Sequence, residues 1–318
     1  MRRRWTGARG RVAAAAGAAS LAITLAARAQ DPAAAAPPKT LVHVTFSHAD
    51  GTPATDVTPA DLDVRVDGSP RPVEFLSCYP TPLSVVLLVD QTTSMRMGDQ
   101  VSSLAVQRAM DQWFPYALAP EDRARIGSIG RRVALSPRFT TDRRALVDAG
   151  QALRAPDALD RGGPSPIWDA VDEALQALDA EGGVRAILLI TDGRASGNRL
   201  GLEDVGAHAV SAHAIVDIVG ERTAAIVLPQ VDGSALTIAP DTRLRWLAER
   251  TGGTFEADKP FPWSDPGPIV TRILAGLHKS CTVGFVAPVQ DGHLHDLDVR
   301  VRLGGLQVHA PKAFLAGS

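Results

Sequence analysis

The chain has 318 residues, 45% of them hydrophobic and 21% charged, an ordinary balance for a folded soluble protein. A formal charge of −2 and an aromatic content of only 5% argue against a nucleic-acid partner, which calls for a basic surface and stacking platforms. The length accommodates one large domain with smaller additions.

Residues 1–29 differ in character from the rest of the chain. Arg2, Arg3, Arg4, Arg9 and Arg11 make a basic start, an alanine-rich apolar run extends from Val12 to Ala27, and Ala27-Arg28-Ala29 offers a small-x-small cleavage site. This is the pattern of a cleaved secretory signal peptide, with a twin-arginine start that also permits twin-arginine export. The alternative is a membrane anchor, for which the run is short and only weakly apolar. No cysteine follows the run to carry a lipid. Cleavage removes six arginines and no acids, leaving a formal charge of −8. The expected location is therefore periplasmic or extracellular.

Residues 30–39 are a Pro/Ala linker. Residues 40–79 form a small β-rich segment: "TLVHVTFS" alternates as a strand should, Thr58 opens a short turn, and Leu62, Val64 and Val66 alternate again. Asp67-Gly68 signals a tight turn, and Val73, Phe75 and Leu76 mark a further strand. From residue 83 the pattern changes. "LSVVLLV" (83–89), "VRAILLIT" (184–191) and "AIVDIVG" (214–220) are nearly continuous apolar runs, as strands covered on both faces require. "RARIGSIG" and "RRVALSP" add two short strands with a turn near Gly130, and "TFEA" a final edge strand.

Helical periodicity separates these runs at residues 98–117, 141–153 with Thr141 as its cap, 165–180, 200–213, 240–253 and 266–280. Trp113, Trp168 and Trp246 fall on helical faces and are read as core. Alternating strands and helices over 83–280 predict an α/β domain with a doubly wound, mainly parallel sheet. In residues 281–318 "CTVGFVA", "HDLDVRVRL" and "LQVHAP" alternate as strands, which are expected to pair with the N-terminal strands into one flanking sheet. His293, His295, Asp296 and Asp298 are read as the polar face of an edge strand.

Cys78 and Cys281, 203 positions apart, are the chain's two cysteines. In an exported protein such a pair reads as a disulfide, and the chain-entropy model gives about 5 kcal/mol for so long a loop. The alternative is two buried thiols.

Two of the most apolar strands end in acids, Asp90 and Asp192, and ligands of open parallel sheets bind beyond the strands' carboxyl ends. Asp90, Thr92 and Ser94 alternate on one loop, Ser165 lies on a second in "GGPSPIWDAV", and Asp192 on a third. All five offer oxygen, which suits Mg²⁺ first, with Mn²⁺ or Ca²⁺ as alternatives. Each residue also has a plain reading: Asp90 caps the next turn, Ser165 caps a helix, and Asp192-Gly193 turns the chain.

Together these stretches resemble the von Willebrand factor A domain and its metal-ion-dependent adhesion site, whose signature is D-x-S-x-S, then a distant Thr, then a distant Asp. Asp90-Gln91-Thr92-Thr93-Ser94 carries Thr at the first hydroxyl position. Ser165 stands where the family has Thr, and "LLITDGR" matches the family's strand end at Asp192. Thr93 stands where many relatives have glycine. "HADGTPATDVTPADLDVRVDGSPRPVEFL" resembles the leader of an exported bacterial subgroup.

The resemblance implies a metal held by Asp90, Thr92, Ser94, Ser165 and Asp192 that bridges to an acidic side chain of a partner protein. A binding module rather than an enzyme is expected, since no general base is apparent near the metal set. The alternative is a metal-independent scaffold of the cell envelope.

Overall fold

The computed structural model describes residues 39–96, 107–153, 163–221, 226–229, 235–238, 240–258 and 266–317. The expected signal peptide, nearly all of the linker and the first half of the 98–117 helix lie outside the described residues. Among the described residues no helix is long and apolar enough to cross a membrane.

The central sheet comprises β5 (Leu83–Asp90), β6 (Arg123–Ile129), β7 (Val133–Leu135), β8 (Val184–Thr191), β9 (Ala214–Glu221) and β12 (Phe255–Asp258). Their spatial order is β12-β9-β8-β5-β6-β7, with every pairing parallel except β6–β7. All eight residues of β5 are buried, because helices cover both faces. One face carries a π-helical segment (Ala109–Trp113), α1 (Phe114–Ala117), α2 (Arg143–Leu153) and α6 (Gly267–Leu277). The other carries α3 (Ile167–Leu178), α4 (Leu202–Ser211) and α5 (Pro240–Thr251). Strand alternation divides the sheet between the two layers: Val85, Leu87 and Val89 face the first, Val86 and Leu88 the second.

The flanking strands form two four-stranded sheets where one was expected. β1 (Lys39–His48) and β4 (Val73–Ser77) alternate with β13 (Cys281–Val286) and β15 (Leu306–His309) in the order β15-β1-β13-β4. β2 (Leu62–Val66), β3 (Ser69–Arg71), β14 (Leu294–Val301) and β16 (Ala313–Leu315) form the second, in the order β16-β14-β2-β3. Each sheet presents one apolar face, so a single sheet would leave Phe46, Val64, Phe285 and Phe314 wet; two sheets bury them against each other. Phe285 and Phe314 meet edge to face at 5.3 Å. Cys78 and Cys281 are disulfide-bonded where β4 and β13 run side by side.

Other expectations need correction. β14 is an inner strand, and His295 is a junction between loops: its Nδ1 lies 2.8 Å from Asp67 Oδ2 and its Nε2 3.1 Å from Asp291 Oδ1. Trp168 is buried, but Trp113 and Trp246 are each more than a third exposed. The cap of α2 is Asp142, whose Oδ1 accepts from the Arg144 and Ala145 amides, not Thr141. A two-stranded hairpin, β10 (Ile226–Pro229) with β11 (Ala235–Ile238), comes after β9 and was not anticipated.

Candidate metal centre

β5 and β8 are parallel neighbours, with Val89 opposite Ile190. From β5 the sheet grows outward through β6, and from β8 in the opposite direction through β9, so the winding reverses between them. The crevice beyond their carboxyl ends is the topological switch point. Asp90 and Asp192 both stand there, and both are fully buried.

Asp90 is held by donors from three segments. Its Oδ1 accepts from the Thr92 amide at 3.0 Å and the Thr92 hydroxyl at 2.7 Å. Its Oδ2 accepts from the Ser165 hydroxyl at 3.0 Å and the Thr191 hydroxyl at 2.8 Å. The Ser94 hydroxyl lies 3.2 Å from that of Thr92. The turn-capping role of Asp90 is thus real, and the same carboxylate joins the first loop to the second. Burial pushes the Asp90 carboxyl above its ordinary range; the Thr92 and Thr191 hydrogen bonds oppose this, and the charge of Asp192 adds to it.

Asp192 is satisfied on one side only. Its Oδ1 accepts from the Arg194 amide at 3.0 Å, across the turn that Gly193 makes with φ +76°. Among the described residues its Oδ2 is buried without a hydrogen-bond partner, and the nearest cation, Arg194 Nε, is 3.6 Å away. A buried carboxylate oxygen without a donor is costly, which marks this atom as the one that a bound cation would satisfy.

The second loop is positioned by the third. The Ser196 amide donates to the Ser165 carbonyl at 2.8 Å, and the Ser165 amide donates to the Ser196 hydroxyl at 3.0 Å. Asn198 Oδ1 accepts from the Trp168 amide at 2.7 Å, so the first turn of α3 is capped from 30 residues downstream and not by Ser165. Asp169, in that same turn, accepts from the Arg199 and Leu200 amides, each at 3.0 Å from Oδ1. Thr191, Ser196, Asn198 and Asp169 were missed in the sequence. Only the clustering of hydrogen-bonding side chains in "TDGRASGN" pointed to the first three; Asp169 lies outside that stretch, in α3.

The structure thus brings Asp90, Thr92, Ser94 and Ser165 into one hydrogen-bonded group, with Asp192 beside it: three loops, two carboxylates and three hydroxyls. Among the described residues no group of three or more His, Cys, Asp or Glu side chains is arranged to hold a metal ion. A cation here would rely on hydroxyls for more than half of its protein ligands. The all-oxygen set and the orphaned Asp192 oxygen fit a hard divalent ion.

No protein-family model matches the sequence, and no curated protein matches it. Among solved structures it is similar to a von Willebrand factor type A protein from Catenulispora acidiphila, at 12% identity and a TM-score of 0.50 over 88% of this chain and 74% of that one. It is also similar to proximal thread matrix protein 1 from the mussel byssus, in a structure with a zinc-occupied MIDAS motif. There the identity is 11% and the TM-score 0.50, over 66% of this chain and 48% of that one. Strand order, helix placement and these two likenesses agree: the chain carries an α/β domain of the von Willebrand factor A fold.

Proposed function

We propose that this chain is an exported binding module that engages an acidic side chain of a partner protein through a divalent cation held by Asp90, Thr92, Ser94, Ser165 and Asp192. The observation that carries this reading is Asp192 Oδ2, a buried oxygen with no hydrogen-bond donor among the described residues, at the same sheet end as a group of hydroxyls gathered from two other loops. The zinc in the MIDAS of the mussel byssus protein supports it by analogy of fold. Bound there, the cation would supply a concentrated positive charge for an incoming carboxylate. The chain's own hydroxyls add no charge and leave that attraction undiminished. We expect no hydrolytic turnover, and Mg²⁺ as the first candidate ion.

The test is thermal and chemical denaturation with Mg²⁺, Mn²⁺ or EDTA, on the parent and on Asp192→Ala. At a concentration 100 times its dissociation constant, a metal that binds only the folded state adds about 2.7 kcal/mol. The parent should gain this and Asp192→Ala should not. A pull-down from an envelope extract should then recover a partner with Mg²⁺ and lose it with EDTA. Absence of any metal-induced stabilisation in the parent overturns the reading.

One observation favours a metal-independent scaffold instead: Arg194 already places a cation 3.6 Å from Asp192 Oδ2. Arg194→Ala separates the two. It weakens the protein if the arginine is the structural counter-ion, and tightens metal binding if the arginine competes with the metal.

A further inference from the structure

At the other end of the sheet, where β9 and β12 begin, a cavity of about 540 Å³ opens between α5, α6 and strands β1 and β15. That volume is in the range of sites for small organic ligands, and it lies where two layers of the molecule meet, as such sites commonly do. Its lining is charged in a particular way. Asp217, 4% exposed, projects from β9 on the same side as Ile215 and Val219, an acid in an otherwise apolar row. The Thr254 amide and hydroxyl both donate to its Oδ1, each at 2.8 Å, so the carboxyl is fixed in place.

Arg245 and Glu249 enter the same cavity from α5. They stand one helical turn apart, the spacing at which opposite charges ordinarily pair. Among the described residues, however, neither is in an ion pair. Arg245 instead lies over the Phe255 ring, 4.9 Å from its centroid. Across the cavity Arg272 and Glu256 neutralise each other as a pair. Asp50, on the exposed loop at the rim, accepts from the Thr52 amide and hydroxyl; the remaining unpaired charges are two carboxylates and one guanidinium, around a space that no side chain of the described residues fills.

We propose that this cavity binds a small zwitterion of the amino-acid class, its ammonium received by Asp217 and Glu249 and its carboxylate by Arg245. A neutral ligand would leave the buried Asp217 uncompensated and would use neither Arg245 nor Glu249, both of which reach solvent. A simple cation or anion would satisfy one side alone. A guanidinium and a carboxylate on one helix, kept from each other, match a ligand that carries both complements. The site is separate from the candidate metal centre and does not depend on it.

The test is calorimetry and thermal shift with the disulfide-intact protein and a panel of free L-amino acids. Each hit is compared with its amide, which lacks the anion, its N-acetyl derivative, which lacks the cation, and a dipeptide, which tests for a chain end. At least one free amino acid should bind. Its amide and its N-acetyl derivative should each bind about 10-fold more weakly, the loss of one charge-assisted contact. Arg245→Gln should weaken the free amino acid to the level of its amide, and Glu249→Gln should weaken it without abolishing folding.

Gly276→Leu provides a variant that fills the space. Gly276 lines the cavity from α6, and a Cβ there meets nothing within 4 Å, so the variant should fold and melt no lower than the parent while losing the ligand. A panel with no binder, derivatives that bind as well as the parent compound, or a folded Gly276→Leu that binds normally would each overturn the proposal. A dipeptide that binds better than every free amino acid would overturn the free ligand in favour of a peptide terminus.

Discussion

Replacing Asp217 by Asn should stabilise the protein near neutrality, by an amount set by its burial. The carboxyl is pushed up to about 6, first by burial and further by the charge of Glu256, against the opposing hydrogen bonds from Thr254. In the unfolded chain an aspartate titrates near 3.9. Between about pH 4 and pH 6 the folded protein therefore holds a proton that the unfolded chain has released, and stability falls as pH rises through that window. Above pH 6 the loss is complete and constant: about two pH units, or about 3 kcal/mol. Asparagine keeps an oxygen to accept both Thr254 donors and carries no charge. Urea denaturation at pH 4, 5, 6 and 7 should show Asp217→Asn gaining up to about 3 kcal/mol at pH 7 and close to nothing at pH 4. A gain equal at every pH, or a loss at pH 7, would refute the electrostatic argument.

Replacing Cys78 and Cys281 together by Ser should lower stability by about 2–5 kcal/mol in guanidinium titration, because the bridge closes a loop of 203 positions. Gly183→Ala should cost at least about 2 kcal/mol on the same assay: its φ is +76°, and an added Cβ would lie 2.1 Å from the Pro82 carbonyl oxygen. His295 should titrate above 6.5 by NMR, since Asp67 and Asp291 both favour its charged form. Its contribution to stability is then whole below 6.5 and disappears as pH rises through the folded value. Asp67→Asn should lower that midpoint; a wild-type midpoint at or below 6.5 would contradict the double carboxylate clamp.

The sheet was legible because its strands are buried on both faces, and such strands write themselves as unbroken apolar runs. "LSVVLLV" and "VRAILLIT" needed no partner information, and their terminal acids stood out against them. The second set of strands was legible singly but not in its pairing, since alternation tells which face is apolar and not what covers it. His295 illustrates this: alternation alone placed it on an edge, and only the neighbours β16 and β2 make its strand an inner one. Thr191, Ser196 and Asn198 escaped for another reason. Their hydrogen bonds reach Asp90, Ser165 and Trp168 across 30 to 101 positions, and the polar cluster they form in the sequence does not say what they bond. The β10–β11 hairpin had a usable signal, an Asp-Gly pair between two short β-branched runs, that went unread.

The bridge between Cys78 and Cys281 sits at the doorway through which the chain leaves the flanking sheets for the α/β domain and returns. Everything from residue 79 to 280 is consequently a covalently closed ring hung on a two-sheet base. A protease that nicks this ring once, at any exposed loop, would release no fragment: the two pieces would travel together until a reductant parted them. Traction on whatever the ring holds would likewise load a sulfur–sulfur bond before it could peel β4 from β13.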